Sequence, residues 1–584
     1  MTKSFIKAKN AAHSAEARFQ QAHRLYDRGQ FSKAKALLEE ALKLQPAYYH
    51  AQLLLGLIAD HANHLESAVE LIERAISLQP EVAEGYFALG NTLRKLNKLH
   101  EASKNFAKAI TLKPDYVDAY YNCGLVLQDL KEYAVALRCY DKAISLKPDF
   151  ATAHNNRANV LKDLRQFDAA LAGYSKAIML SPDLAQAYCN RGIVFSDTGR
   201  FEDALADFDR ALSIKPDFAE AYSNRADTLR VLNRFQESLE SYDKALSLNP
   251  NLAEARFNKS VLLLLLGNLA DGWEAYEWRW KKLKIDLGSI GKPLWRGDVS
   301  IKDKTIYLFA EQGLGDTLQF CRYVKLVADL GAKVILQVQP PLVTLLKDLE
   351  GAWKICTAGD HIPPFDYYCP LLSLPLAFKT LTDTIPADIP YIKCPPEKSA
   401  FWKGRFEESG RLRVGIVWSG GYRPNEPDLW VVNERRNIPL AKFEPLNMPG
   451  IVFYSLQKGE EAVSQLRALK EASWQGPEII DFSDEFNDFS DTMGFIDHLD
   501  LVIAVDTSTA HLAGAMGKPV WILNRFDTCW RWMLETTRTP WYPTATLIRQ
   551  PAMGDWDSVI AMVRTKLGEY LHSRLDDASL ARPV

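Results

Sequence analysis

The sequence has no long apolar run. Its longest aliphatic stretch is Val261–Leu266, whereas a helix that crosses a bilayer needs about 20 apolar residues. The first residues, MTKSFIKAKNAAHSAEARF, also lack the apolar core of a secretory signal. We therefore expect no membrane span and a cytoplasmic protein.

Paired cysteines and a strong excess of charge are lacking as well. None of the eight cysteines forms a C-x-x-C pair, which argues against a zinc ribbon or redox motif and suits a reducing compartment. The formal net charge is only −3, so nothing favours nucleic acid as a partner. At 584 residues, the chain is too long for one hydrophobic core, and two to four domains are expected.

What the sequence does have is a period of 34 residues. Prolines recur at this spacing, and small and aromatic residues recur in the same register. The prolines are Pro46, Pro80, Pro114, Pro148, Pro182, Pro216 and Pro250. The small residues are Gly56, Gly90, Gly124, Ala158, Gly192 and Ala226, and the aromatic residues are Phe106, Tyr140, Tyr174, Phe208, Tyr242 and Tyr276. This predicts helix pairs that cross at the small residues, with the aromatic ring filling the gap to the next repeat and proline ending the second helix.

The pattern resembles the tetratricopeptide (TPR) repeat. The resemblance implies an α-solenoid of about eight repeats over residues 15–283, after an N-terminal extension at 1–14. Such repeats stack around a concave groove that is lined by the first helix of each pair. The groove predicts a polypeptide or protein partner.

An asparagine column recurs in the same frame. It consists of Asn122, Asn156, Asn190, Asn224 and Asn258. An asparagine amide offers both donors and an acceptor, so a column of them in the groove can hold the backbone of an extended peptide. It resembles the asparagine ladder of the O-linked N-acetylglucosamine transferases. The alternative is that these amides only bond between neighbouring repeats.

The repeat pattern ends before residue 284, and an α/β texture follows. Short apolar runs such as TIYLFA, RVGIVW and DLVIAV alternate with helical segments, which predicts parallel sheets. We expect two Rossmann-like halves, at 284–398 and 399–572, and a flexible tail at 573–584. Open parallel sheets bind ligands outside the carboxyl ends of their strands, so the strand-to-helix corners are the candidate site.

Two such corners carry polar residues. In EQGLGDTLQF, Asp316 follows two glycines at the start of a helix; it is either the N-cap, with Gln319 as its capping-box partner, or a group that faces a ligand. In VDTSTAHL, Asp506, Thr507 and Ser508 lie where a strand turns into a helix, whose N–H groups form an anion site that suits phosphate. His511 lies in the first turn and is able to donate to the same anion; the alternative is a histidine that merely rests on the sheet.

A third loop, Trp418-Ser419-Gly420-Gly421, follows a strand of the second half. Gly420 and Gly421 either cradle a nucleotide or sugar or form a plain flexible loop. The acidic run at 481–491 is interpreted as a solvated loop and helix cap. Because no D-x-D motif lies at a plausible strand end, we expect no metal.

The segments EQGLGDTLQFCRY, VGIVWSGG, YSLQKG, VDTSTAHLAGAMGKPVW, WRW and TPWYPTATLIRQPAMGDW occur in this order. As a set they resemble the TPR-linked bacterial glycosyltransferases, whose catalytic part is similar to the heptosyltransferases of glycosyltransferase family 9. The architecture also resembles the O-linked N-acetylglucosamine transferases of family 41. The resemblance implies a GT-B fold of two Rossmann-like halves and inversion at the anomeric carbon.

The same resemblance implies roles for the site residues. Asp316 would be the general base, and Lys458 with the corner from Asp506 to His511 would hold the donor diphosphate. If family 41 is the better guide, Asp316 mainly orients the acceptor. We therefore expect an inverting, metal-independent glycosyltransferase with an ADP- or UDP-linked sugar donor, no further cofactor and a polypeptide acceptor. The alternatives are a glycan or lipid-linked acceptor, or a TPR scaffold with a catalytically silent GT-B domain.

Overall fold

The computed structural model describes residues 2–406, 410–421, 430–472, 474–534 and 536–580. The chain divides into two compact units, Met1–Arg225 and Ala226–Val584. None of the helices in the described ranges is long and apolar enough to cross a membrane.

The first unit is a series of helix pairs, with helices of 13 or 14 residues after a longer first one. They are α1 (Thr2–Asp27), α2 (Phe31–Leu44), α3 (Tyr49–His61), α4 (Leu65–Leu78), α5 (Ala83–Lys95), α6 (Leu99–Leu112), α7 (Val117–Asp129), α8 (Tyr133–Leu146), α9 (Ala151–Asp163), α10 (Phe167–Leu180), α11 (Ala185–Asp197) and α12 (Phe201–Ile214). Residues 2–14 of the predicted extension are part of α1. The helical solenoid predicted from the 34-residue period is confirmed.

The recurring aromatic ring packs inside its own repeat. A Cβ atom on Gly90 would lie 2.7 Å from the ring of Phe106, and one on Gly124 would lie 2.7 Å from Tyr140. The prediction that the ring fills the gap to the next repeat was therefore wrong, because the glycine that it contacts belongs to the same repeat. The ring lies 16 residues after the small residue, which places it on the second helix of the same pair, where a glycine or alanine leaves room for it.

The second unit begins with the last repeats. Its helices here are α13 (Ala219–Val231), which spans the boundary, α14 (Phe235–Leu248), α15 (Ala253–Leu265), α16 (Leu269–Tyr276) and α17 (Arg279–Leu283). In α16, the indole Nε1 of Trp273 donates to the carbonyl of Thr380 at 3.0 Å, and its ring meets Trp530 edge-on at 5.3 Å. α16 therefore packs against the α/β part, to which Thr380 and Trp530 both belong.

The α/β part contains two parallel sheets. Their strands are β1 (Thr305–Phe309), β2 (Lys333–Gln337), β3 (Ala352–Cys356), β4 (Tyr367–Pro370), β5 (Leu412–Val417), β6 (Ile451–Ser455), β7 (Ile479–Asp481), β8 (Leu501–Val505), β9 (Val520–Asn524) and β10 (Ala545–Arg549). The first sheet has the order β3-β2-β1-β4 and the second β10-β9-β8-β5-β6-β7, with every pair parallel. β6, β8 and β9 are buried along their whole length, as strands covered on both faces must be.

In the described part of the chain, ten α-helices lie between or after these strands. They are α18 (Leu314–Phe320), α19 (Tyr323–Asp329), α20 (Val343–Leu346), α21 (Leu374–Ala377), α22 (Pro396–Lys403), α23 (Trp430–Arg436), α24 (Glu460–Glu471), α25 (Phe489–Ile496), α26 (Ser508–Ala515) and α27 (Trp556–Leu580). The tail predicted from residue 573 is helical as far as 580, because the sequence SRLDDASL contains no glycine or proline to end α27. Residues 581–584 lie outside the described residues.

Candidate functional site

The first corner joins β1 to α18. The N-cap of α18 is Gly313, whose backbone is extended, and Asp316 is the third residue of the helix. Its Oδ2 accepts from the Gly313 N–H at 2.8 Å. The interpretation of Asp316 as the N-cap was therefore wrong by three residues: glycine begins the helix, and Asp316 reaches back to the glycine N–H.

The second corner joins β8 to α26. Thr507 is the N-cap of α26 and has an extended backbone, as the sequence indicated. Its hydroxyl Oγ1 is buried and has no hydrogen-bond partner among the described residues, and it makes no side-chain cap for its own helix. Hydroxyl groups buried in this way are rare in folded proteins because each costs free energy. The N-terminus of α26 thus carries an unused donor beside Asp506 and Ser508.

The two corners lie against each other. A Cβ atom on Gly315 would be 2.8 Å from Cδ2 of His511 and 3.5 Å from the Cα of Ser508. Only glycine at position 315 allows α18 and α26 to approach this closely. The structure thereby brings Asp316 from the first sheet and His511 from the second to one place, at the carboxyl ends of β1 and β8.

Arg531 completes this corner. Its Nη2 donates to Oδ1 of Asp316, and its Nε donates to Oε1 of Gln319 at 2.8 Å. The guanidinium also lies over the ring of Trp530, 4.2 Å from its centroid. Sequence reasoning assigned no role to Arg531, although the WRW segment belonged to the resemblance.

His511 is buried and uncharged at neutral pH. Its Nδ1 lies 2.9 Å from the Tyr542 hydroxyl, and its ring stacks on Trp532 with the centroids 5.2 Å apart. Nε2 lies 3.8 Å from Oδ1 of Asp506. Burial lowers the pKa of His511 to about 4, although the Asp506 carboxylate acts in the opposite direction. The imidazole is thus a neutral hydrogen-bonding group.

Asp506 keeps its negative charge inside the protein. Burial raises its pKa, but electrostatic interactions with His511, Arg436 and Arg531 outweigh burial and leave the pKa below its usual value. Arg436 also donates to the backbone carbonyl of Asp506 at 2.9 Å. Asp506 is therefore an acceptor at this corner, whereas its neighbour Thr507 supplies a donor.

The glycine loop after β5 holds Arg436 in place. A Cβ atom on Gly420 would collide with the Arg436 guanidinium, so the glycine makes room for that side chain. The Gly420 N–H donates to Oδ1 of Asn437 at 2.8 Å. Gly421 is exposed, and it precedes residues 422–429, which lie outside the described residues. Gly420 thus acts on the corner through Arg436, and its predicted contact with a nucleotide stays a prediction.

Lys458 has partners elsewhere. Its Nζ donates to the carbonyls of Ser483 at 2.6 Å and Phe486 at 2.7 Å. Both carbonyls belong to the loop between β7 and α25. The ammonium group is therefore occupied by backbone oxygens, and a role in binding a diphosphate requires it to leave them.

The aromatic residues around the corner are packed inside the protein. Trp532, Trp541 and Tyr542 are fully buried, and Trp530 is 4% exposed. They support His511 and Arg531 rather than form an open stacking surface. Within the described ranges, no group of three or more His, Cys, Asp or Glu side chains is placed to hold a metal ion.

The asparagine column makes hydrogen bonds between repeats. Asn156 donates to the Tyr121 hydroxyl at 2.8 Å, and Asn190 donates to Oδ1 of Asn155 at 3.1 Å. Asn224 donates to Sγ of Cys189, and Asn258 donates to Oδ2 of Asp227. Each partner precedes its asparagine by 31 to 35 residues. The inter-repeat bonds that the sequence allowed are thus present, and Asn122 is half-buried. Peptide binding by the column stays a prediction.

Comparison with known proteins identifies the repeats. A TPR repeat model matches residues 90–131 and 158–199, and tetratricopeptide repeat models match 19–83 and 117–150, 185–218 and 219–252. The chain therefore carries tetratricopeptide repeats, as its period predicts.

The chain is also similar to individual proteins over part of its length. Protein FlbA of Caulobacter vibrioides is 27% identical over 302 residues, which cover 48% of this chain and 48% of FlbA. The chain thus spans about half the length of this curated relative. YrrB, a TPR protein with an unusual peptide-binding site, is 26% identical over 33% of this chain and 98% of YrrB, with a TM-score of 0.28. A tetratricopeptide repeat protein from Parabacteroides merdae is 20% identical over 41% of this chain and 94% of its own, with a TM-score of 0.36.

Proposed function

We propose that the chain is an inverting, metal-independent glycosyltransferase of GT-B type. It moves a sugar from an ADP- or UDP-linked donor to a polypeptide held by the repeats. The proposal depends on one observation, the close approach of the two corners. A Cβ atom on Gly315 would lie only 2.8 Å from Cδ2 of His511. The Asp316 carboxylate, which follows β1, then lies at the same corner as the N-terminus of α26 after β8, where the Thr507 hydroxyl is unused.

In the proposed reaction the acceptor hydroxyl oxygen attacks the anomeric carbon of the donor sugar. The new C–O bond forms while the bond to the diphosphate oxygen breaks, and its electron pair leaves with the nucleoside diphosphate. The acceptor proton passes to Asp316. Attack from the face opposite the leaving group inverts the anomeric configuration.

Negative charge grows on the diphosphate as it leaves, and the corner offers fixed donors for it. The N–H groups at the start of α26, including that of Ser508, and the Thr507 hydroxyl are already in position, which limits the cost of reorganisation. His511 acts as a neutral hydrogen-bonding group, because its pKa of about 4 leaves it uncharged at neutral pH. Lys458 is not needed in this scheme, because its ammonium group is held by carbonyls.

The test measures nucleoside diphosphate release by the full chain from a panel of ADP- and UDP-linked sugars, with and without polypeptide acceptors. We expect one donor to be consumed, and we expect Asp316→Asn to lower kcat about 100-fold or more while donor binding remains, as loss of a general base does. Glu350→Gln is the control, because this side chain is 68% exposed and lies in the turn before β3.

Two results would reject the proposal. One is that no donor on the panel is consumed or bound, which would leave a protein-binding scaffold built on the repeats. The other is that Asp316→Asn turns over the donor as fast as the unchanged protein. Transfer to a glycan or lipid-linked acceptor, but to no polypeptide, would correct the acceptor and leave the reaction class in place.

A further inference from the structure

Arg531 connects the two functions assigned to the corner. Its guanidinium pairs with Asp316, and both side chains are largely buried, at 11% and 18% exposure. The N-terminus of α26 lies beside this pair, because Gly315, next to Asp316 in the chain, approaches Ser508. One cation is therefore within reach of both the carboxylate and the place proposed for the diphosphate.

Both carboxylate oxygens of Asp316 already accept a hydrogen bond. Nη2 of Arg531 donates to Oδ1, and the Gly313 N–H donates to Oδ2 at 2.8 Å. In the proposed reaction the acceptor hydroxyl has to approach one of these oxygens. Withdrawal of Arg531 would open Oδ1 to that hydroxyl.

Arg531 is able to change partners without leaving the corner. Its Nε is bonded to Gln319 at 2.8 Å, and its face lies on Trp530, so neither contact depends on Asp316. A planar guanidinium with five N–H groups also suits a phosphate, to which it binds with two parallel hydrogen bonds.

We propose that Arg531 is shared between Asp316 and the donor diphosphate. Before the donor binds, Arg531 holds Asp316; once the diphosphate is bound, Arg531 pairs with it and leaves Asp316 free to accept the acceptor's proton. This inference rests on the proposed function and adds an order to it: the donor binds before Asp316 becomes an effective base. Arg531 supplies the cation that the metal-independent reaction needs.

The test measures binding of ADP, UDP and inorganic pyrophosphate to the full chain by calorimetry. Arg531→Ala should weaken binding about 30-fold or more, as loss of a buried charged partner does. Asp316→Asn should strengthen it about tenfold, because Arg531 no longer has a competing carboxylate. General damage to the corner would weaken binding in both variants, so the opposite signs identify the competition.

Two further variants keep the test decisive. Asp316→Ser removes the same charge and retains a small acceptor for the Gly313 N–H, so it serves if the asparagine variant unfolds. Arg549→Lys is the matched control, since Arg549 is a partly buried arginine of the same region that donates to the Thr536 and Trp532 carbonyls. We expect it to leave diphosphate binding unchanged.

The outcomes separate the two proposals. If none of the three anions binds, both the transferase and the shared arginine are rejected. If an anion binds equally to the unchanged chain and to the Asp316 and Arg531 variants, only the shared arginine is rejected. If both charge variants weaken binding, Arg531 has a structural role and does not exchange partners.

Discussion

The neutral state of His511 has a measurable consequence for stability. Its pKa is lowered from 6.5 to about 4, chiefly by burial. Below pH 6.5 the unfolded chain therefore binds a proton that the folded chain does not. The folded state loses stability as the pH falls from about 6.5 towards about 4, and it loses nothing from this residue at higher pH. From these two pKa values the loss is about 2 kcal/mol at pH 5.

The assay compares the unchanged protein with His511→Gln, which keeps a polar group but does not titrate. Denaturant unfolding is followed by tryptophan emission at pH 7.5 and pH 5, because His511 stacks on Trp532. Other titrating groups contribute to both proteins and cancel in the difference. We expect the unchanged protein to lose about 2 kcal/mol more than the variant between the two pH values. Parallel losses in the two proteins would refute a buried, neutral His511.

Three further predictions concern packing. Gly315→Ala should lower the free energy of unfolding by about 1–3 kcal/mol through overpacking and should reduce transfer. Gly404→Ala is the control and should change neither, because no atom lies within 4 Å of the new Cβ. Intact transfer in Gly315→Ala would contradict the close approach of the corners. Trp273→Ala should lower the free energy of unfolding by about 3–5 kcal/mol. Trp353→Ala should lower it by far less, because Trp353 is half exposed. Equal effects in denaturant unfolding would contradict the packing of α16 on the α/β part. Asn190→Ala should lower the free energy of unfolding by about 1 kcal/mol, because it removes a hydrogen bond between repeats. If it also lowers transfer to a polypeptide but not donor hydrolysis, the prediction that the asparagine column binds a peptide is supported. Equal loss of both activities contradicts that prediction.

The sequence predicts the repeats well because each one carries the same constraint. A proline follows the second helix and a glycine or alanine admits the aromatic ring, so the period is visible without any tertiary information. The prediction of the ring's partner was wrong, since the 34-residue spacing alone does not distinguish a contact within a repeat from one between repeats.

The α/β part is predictable where a strand is apolar along its length. β8 and β9 are recognisable because both of their faces are buried. By contrast, β3 mixes buried positions with the half-exposed Trp353, and β7 has only three residues. Their patterns are too mixed or too short to predict a strand. Their place in the sheets is set by pairing with β2 and β6.

The residues of the candidate site also divide into those that a local sequence pattern marks and those that it does not. Asp316 and His511 were predicted as site residues because each follows a glycine-rich or hydroxyl-rich turn after a strand. Arg531 was not, because its partner is 215 residues away and no local pattern marks the pair. The carbonyl partners of Lys458 come from a loop 25 and 28 residues further on, and backbone acceptors leave no signature in the sequence.

The proposed site is best tested by a crystal structure of the full chain with ADP or UDP bound. We expect the diphosphate within hydrogen-bond distance of the Thr507 hydroxyl and the Ser508 N–H, with Arg531 turned towards it and away from Asp316. A nucleotide bound at any other place, with Gly315 still against His511, would contradict it.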